Sequence, residues 1–212
     1  LNNLRTALQE VVASLHVYRT YIDPAGGVVS DRDRQMVEAA VKEAKRRQPG
    51  IDKSVFDYIR DTWLLRNREA FREADRERLD RWLMWFQQMT GPIMAKGVED
   101  TAFYRYNRLV SLNEVGGHPA QFGMTVDEFH SNNRRQAEHW PHAMLASSTH
   151  DNKRSEDVRA RINVLSEVPD AWRRAVVRWS RLNLLRKRDL DSGPAPDRND
   201  EYLLYQIMLG TW

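Results

Sequence analysis

The chain is 212 residues long, 41% hydrophobic and free of cysteine, with 33 basic side chains against 30 acidic ones. That length supports one substantial core or two small ones, the missing thiols exclude disulfides and thiolate metal sites, and a net charge of only +3 in a dense mixture of signs argues against nucleic acid as a partner. No run approaches the roughly 18 consecutive apolar residues of a membrane span, and the opening LNNLRTALQE lacks the basic-then-apolar order of a secretory signal, so a cytoplasmic setting is expected.

The predicted elements are mostly helical. Leu1, Leu4, Leu8, Val11, Val12 and Leu15 recur at helical spacing, after which HVYRTYI (16–22) turns β-branched and aromatic before Asp23-Pro24 and Gly26-Gly27. This reads as helix, short strand and loop. Ser30 with Asp33 resembles a capping box, opening a helix through Met36, Val37, Ala40, Val41 and Ala44 that Pro49-Gly50 closes. Further helices are expected over Ser54 to Leu65 and Asp75 to Met89, the second carrying Leu79, Trp82, Leu83, Trp85 and Phe86 until Thr90-Gly91-Pro92 ends it. Tryptophans at such spacing are expected in the core.

The stretch 91–119, rich in glycine and proline, shows no periodicity beyond a turn or two around Asp100 to Tyr106, and long irregular segments in compact domains are often functional. Thr125 and Glu128 form a second capping-box pattern, and Pro141 terminates that helix. The bounded apolar run Met144 to Ser148 predicts a buried strand. Ser155 is placed to cap a helix carrying Val158, Ile162 and Leu165, with Glu156 and Asp157 in the first turn where the helix dipole favours negative charge. Pro169 suits a first helical position ahead of Trp172, Val176, Trp179 and Leu182; RKRDLDSGPAPDRND (186–200) reads as a linker before a last helix, Glu201 to Leu209.

Two short polar motifs are left over, THD (149–151) and KGVED (96–100). Glu99 and Asp100, adjacent in sequence, point in different directions on regular structure, so a facing pair of carboxylates has to come from separate segments. Asp151, where a strand gives way to a loop, is the better single candidate, because strand C-terminal ends carry the reacting groups of barrel enzymes. Local turn bonding is nonetheless the commoner use of one such Asp, and Lys153 and Arg154 can equally pair with Glu156, Asp157 or helix caps. His139 and His142 lie three apart, but Pro141 breaks the helix that would align them on a metal. Spacing alone does not reach an enzyme.

The long motifs FQQMTGPIMAKGVEDTAFYRYNRLVSLNEVGGHPAQFG and STHDNKRSEDVRARINVLSEVPDAW, with HVYRTYI upstream and NDEYLLYQIMLGTW downstream, resemble the maltooligosyl trehalose synthase family of the α-amylase superfamily over nearly the whole chain. The resemblance implies an intramolecular transglucosylation that turns the reducing-end α-1,4 linkage of a maltooligosaccharide into an α,α-1,1 linkage, with no cofactor. A nucleophile would hold the sugar covalently while a second carboxyl group works as acid and then base. It also implies that Asp151 is the third catalytic carboxylate, at the end of the seventh barrel strand, and that His150 hydrogen-bonds the same sugar ring. Lys96, Glu99 and Asp100 would hold the reducing-end glucose, with Tyr104, Lys153 and Arg154 as further substrate-binding residues.

Three positions depart from the family pattern: Asn152 stands where threonine is usual, His118 where aspartate is usual and His16 where proline is usual. The family's nucleophilic aspartate and acid/base glutamate belong upstream of Leu1, so the sequence reads as an internal piece of a longer enzyme and is expected to be inactive by itself. The fold expected from that cut is mainly α, a helical insertion domain plus one or two short strands from an incomplete (β/α) barrel. Its parts would be barrel helix, strand and loop (1–30), helical insertion (31–90), substrate-loop and late-barrel segment (91–185), and linker with terminal helix (186–212). Apolar surface meant for the missing barrel is expected to favour self-association. The partner implied is a maltooligosaccharide, with no nucleic acid and no membrane.

Two other functions weigh against this reading. A helical protein-interaction domain explains the amphipathic helices but gives no reason for MAKGVEDTAFYRY. A nucleic-acid binder could use Lys45-Arg46-Arg47, Arg134-Arg135 and Arg186-Lys187-Arg188 on phosphates, although interspersed acids favour plain solvated faces. Within enzymes, another amylase-like transglycosylase is the alternative.

Overall fold

In the computed structural model, which describes residues 2–191 and 193–212, four helices build the first of two compact units, the one that ends at Val98. Leu1 and Ser192, read above into the first helix and the linker, lie outside the described residues. Helices α1 (Asn2–Ala13), α2 (Asp31–Arg47) and α3 (Lys53–Trp63) pack on one another, and α4 (Glu73–Met94) follows. Their apolar positions fall three and four apart, so Ala7 and Val11, then Val37, Ala40, Val41 and Ala44, then Phe56, Ile59 and Trp63 form one buried stripe each. Trp63 meets Phe86 of α4 edge to face, with ring centroids 4.6 Å apart. Trp85, one position before Phe86 and so about 100° round the helix, is 75% exposed and not in the core as expected. Caps start the helices: Ser30 Oγ accepts the Asp33 N–H at 3.1 Å, and Asp52 Oδ1 accepts the Ser54 N–H at 2.8 Å.

Residues 16–22 do not form the predicted strand. Backbone groups of the segment bond to side chains instead, the Tyr21 N–H to Asp33 of α2 and those of Ile22 to α4. The Gln87 amide, fully buried, accepts the Ile22 N–H at 2.8 Å and donates to the Ile22 carbonyl at 2.9 Å, the two bonds a neighbouring strand would otherwise make. Gln87 also accepts the Thr20 hydroxyl at 2.7 Å, and Thr20 in turn accepts the Trp63 indole N–H at 2.9 Å. Nor does α4 stop at Thr90-Gly91-Pro92; it runs to Met94 with Pro92 inside. An interior proline costs a helix about 3 kcal/mol. Here the Thr90 hydroxyl, 2.8 Å from the carbonyls of both Tyr18 and Gln87, fastens these turns to the 16–22 segment and offsets that cost.

The second unit, from Glu99, holds α5 (Val126–His139), α6 (Glu156–Asn163), α7 (Pro169–Asn183) and α8 (Arg198–Thr211). The predicted linker instead contains a hairpin, β1 (Arg188–Leu190) antiparallel to β2 (Gly193–Ala195) in the register Arg188 to Ala195. These are the only two strands among the described residues, so the chain is mainly α, as expected, but its strands are not those read from sequence. Met144 to Ser148 is irregular, and Met144 is 96% exposed: a lone extended segment has no ladder to complete it among the described residues. The Thr125–Glu128 capping box forms with both of its reciprocal bonds, yet no residue of α5 is buried. No helix among the described residues is long and apolar enough to cross a membrane.

Contact between α6 and α8 sets the core of this unit, where Val110, Ile162 and Leu165 are buried. Gln206 of α8, with no exposed surface, accepts the Val110 N–H at 2.9 Å and donates to the Asn107 carbonyl at 2.8 Å. Gly210 lets α8 approach α6 closely: a Cβ there would sit 2.8 Å from Val158 Cγ1 and 3.0 Å from Ile162 Cδ1. Alanine in a helix normally gains about 1 kcal/mol over glycine, whereas forcing a methyl into a filled core costs about 1–3 kcal/mol. We therefore expect Gly210→Ala to lower stability by about 1 kcal/mol and Ile162→Val, added to it, to recover part of the loss, as read by urea unfolding. A more stable G210A chain would contradict this packing.

Candidate functional site

The residues of KGVED lie in and just after a π-type turn, Ala95–Glu99, that follows α4. Such wide turns open the regular hydrogen-bond ladder and are frequent at functional sites. Lys96 belongs to the unit that ends at Val98; Glu99, Asp100 and all the other candidates belong to the second unit. Within that unit the structure brings two distant segments together. Lys153 Nζ lies 2.8 Å from Asp100 Oδ1 and 4.0 Å from Glu99 Oε2, with its side chain only 14% exposed. The Asp100 carboxylate beside it raises the lysine pKa against an opposing effect of burial, so Lys153 stays cationic. Glu99 is buried and accepts the Gly116 N–H at 3.2 Å.

Arg154 points its guanidinium at the Val110 carbonyl, 3.2 Å away, and burial pulls its pKa down from the usual value. Tyr104 is half-exposed and belongs to the same unit. One carboxylate that the sequence reading missed joins this group. Glu114 accepts the backbone N–H of Lys153 at 2.7 Å, of Val115 at 2.9 Å and of Arg154 at 3.2 Å. Burial raises its pKa, but those bonds and one from the Asn152 side chain outweigh it and hold the carboxyl below its ordinary value. Its loop turns sharply at Gly116, φ +70°, and Gly117 accepts no side chain, since a Cβ would stand 2.7 Å from the Glu114 carbonyl oxygen. The glycine pair falls in the stretch read from sequence as irregular; the partner of the acid before it, 39 residues away, left no signal there.

Asp151 and His150 occupy the tip of the next turn. Both side chains are turned outward, 74% and 92% exposed, with Nε2 of the histidine 3.7 Å from Oδ2 of the aspartate. The turn is closed by local bonds: Asn152 N–H to the Thr149 carbonyl at 3.3 Å, Asp151 N–H to Thr149 Oγ1 at 3.3 Å, and Asn152 Oδ1 accepting the Thr149 N–H. Ser155 takes the N-cap position of α6, as expected, but makes no side-chain cap bond; Ser148 Oγ accepts the Glu156 N–H at 3.0 Å instead. The site therefore presents one solvent-facing acid and histidine beside a lysine–carboxylate cluster, a donor and acceptor set suited to sugar hydroxyls. Among the described residues no group of three or more histidines and carboxylates is arranged to hold a metal.

A cavity of about 710 Å³ in the same unit lies between α7, the residues flanking the hairpin and α8, and is lined by Trp179, Leu204, Met208 and Trp212. Its buried carboxylate, Glu201, is already occupied by Lys187 Nζ at 2.7 Å, the Tyr205 hydroxyl at 2.6 Å and the Ser180 hydroxyl at 3.0 Å. Burial raises the Glu201 pKa, and these three donors overcome that and lower it. With that carboxylate occupied, the cavity offers a polyhydroxylated ligand less than the outward-facing Asp151 and His150 do.

No family model matches the chain. A protein assigned by name as a maltooligosyl trehalose synthase in two strains of Mycobacterium tuberculosis is 46% identical over 126 residues, 59% of this chain. Two structures of maltooligosyltrehalose synthase from Arthrobacter ramosus cover 100% of the chain at 36% identity, with a TM-score of 0.77. This chain is similar to part of the maltooligosyl trehalose synthases. A Sulfolobus tokodaii protein assigned to the same activity covers 97% of the chain at 32% identity, with a TM-score of 0.65. The chain spans 15% of the length of the Mycobacterium proteins and 24% of the Arthrobacter synthase, so the likeness is to one part of a synthase.

Proposed function

We propose that this chain contributes to an intramolecular transglucosylase, an isomerase of trehalose biosynthesis that converts the reducing-end α-1,4 linkage of a cytoplasmic maltooligosaccharide into an α,α-1,1 linkage. The observation that carries the reading is the juxtaposition of Lys153 with Asp100 and Glu99 beside the Asp151 turn, in a chain whose whole length aligns with 24% of a synthase structure. In this reading Asp151 binds hydroxyls of the sugar whose bond breaks and stabilises the oxocarbenium-like transition state, and His150 bonds the same ring. Glu99 and Asp100 hold the glucose that is released and re-attacks through its anomeric hydroxyl; Tyr104, Lys153 and Arg154 complete the sugar contacts. The carboxylates acting as nucleophile and as acid/base come from polypeptide outside this sequence, and the chain by itself is inactive. Surface such as Met144, Leu145 and Leu185, almost wholly exposed, is covered by further polypeptide or by a second copy.

Product analysis tests the reading. A synthase of the relatives' length carrying this sequence is expected to turn maltohexaose into a non-reducing, trehalose-ended isomer, while the 212-residue chain yields none. Reducing-end loss with the chain alone, or simple hydrolysis by the long form, would overturn it.

A further inference from the structure

We propose that Glu114 is the residue that positions the Asp151 turn, a role that rests on the sugar-pocket reading of Asp151. Asp151 has an exposed side chain on a short loop, and such a group is useful to a reaction only if its backbone is held still. The loop has no strand beneath it to do so, since 143–146 are irregular. Its two ends are fastened instead. On the near side Ser148 Oγ accepts the Glu156 N–H, tying the start of the loop to the start of α6. On the far side Glu114 accepts the consecutive N–H groups of Lys153 and Arg154, at 2.7 and 3.2 Å, while its Oε1 also accepts the Val115 N–H of its own loop at 2.9 Å. One carboxylate thus joins two loops 39 residues apart, immediately after the aspartate. Hydrogen bonds from backbone N–H to an ionised carboxylate are among the stronger kind, and the side chain making them is only 14% exposed, with Arg159 Nη1 3.8 Å away as the counter-charge.

The geometry also links the clamp to the neighbouring cluster. Fixing the Lys153 backbone fixes the root of the side chain that reaches Asp100, so Glu114 sets the position of the aspartate and of the lysine together. Glutamine at 114 would keep one acceptor oxygen, enough for the Lys153 and Val115 N–H groups, but would present an amide N–H₂ to the Arg154 N–H. Alanine would release all three.

The test has two arms. By amide hydrogen exchange on the chain, Glu114→Ala is expected to speed exchange at Lys153 and Arg154 by at least about tenfold, a loss of about 1.4 kcal/mol of local protection, with the amides of α8 unchanged; Glu114→Gln is expected to release Arg154 and spare Lys153. Unaltered exchange at both residues in E114A overturns the clamp. If E114A loosens the whole unit, the split between Arg154 and Lys153 in E114Q decides the matter, and equal behaviour of the two amides there counts against it. In a synthase of full length carrying this sequence, E114A is expected to lower kcat on maltohexaose about a hundredfold, as misplacement of a reacting group by about 1 Å does, with KM little changed and E114Q recovering most of the rate. A fully active E114A enzyme beside an inactive Asp151→Ala enzyme overturns the positioning role alone. An active D151A enzyme sinks the reading of Asp151 and, with it, the purpose assigned to Glu114.

Discussion

Asp151→Ala, in a synthase of full length carrying this sequence, is expected to lower the rate of trehalose-end formation from maltohexaose by at least about a thousandfold, the scale on which single members of a catalytic unit act. The expectation follows from what the charge does: as the glycosidic bond breaks, positive charge develops on the sugar ring, and an anion held against that ring is worth more in the transition state than in the ground state. Asp151→Asn keeps the size and one acceptor oxygen but not the charge, so it is expected to restore part of the binding without restoring kcat. The fold should not notice. The side chain is 74% exposed, with the His150 imidazole 3.7 Å away, and substitutions at such positions change stability by about 0.5 kcal/mol or less. A D151A enzyme with an unchanged melting temperature and a kcat within tenfold of the parent would remove Asp151 from the catalytic group.

The second large effect concerns the fold. Gln87→Leu is expected to destabilise the chain by about 4 kcal/mol, because it strands the N–H and C=O of Ile22 in the core, where each unpaired backbone group costs about 1–3 kcal/mol. Leucine has nearly the volume of glutamine, so the loss is one of hydrogen bonding and not of packing. Gln88→Leu, the next residue but on the exposed side of α4, loses only a solvent-exposed bond from the Arg19 guanidinium; it is the control and is expected to shift stability by no more than about 1 kcal/mol. Urea unfolding followed by tryptophan fluorescence reads both. A Q87L chain within 1 kcal/mol of the parent would mean that residues 16–22 satisfy their backbone some other way.

Local signals and distant ones fared differently. The caps at Ser30 and Thr125 were legible because each is an exchange between residues three apart, and the proline at the start of α7 because its fixed φ and missing N–H belong to the residue itself. The end of α4 was misread, since Pro92 is a stop signal only when nothing else holds the chain, and the Thr90 hydroxyl does hold it to the Tyr18 carbonyl, 72 residues away. Both predicted strands failed for one reason: β-branched and apolar composition marks a segment that will be extended, but a strand also needs a partner. Residues 16–22 found theirs in a side-chain amide, and 144–148 found none among the described residues.

The amino-acid sequence by itself determined the helices, the caps at Ser30 and Thr125, the mainly α character of the fold and, through two long motifs, the likeness to maltooligosyl trehalose synthases. Among the candidate residues it could name Asp100 and Lys153 but not pair them. Tertiary structure alone decided that Lys153 meets Asp100 across 53 residues, that Glu114 clamps the loop behind Asp151, and that Gln87 and Gln206 take the place of backbone partners in the two units. The reason is physical: a buried amide or carboxylate is bound to whatever polar group the folded core strands beside it, and that neighbour is chosen by the packing of helices, which leaves no periodicity along the chain to read.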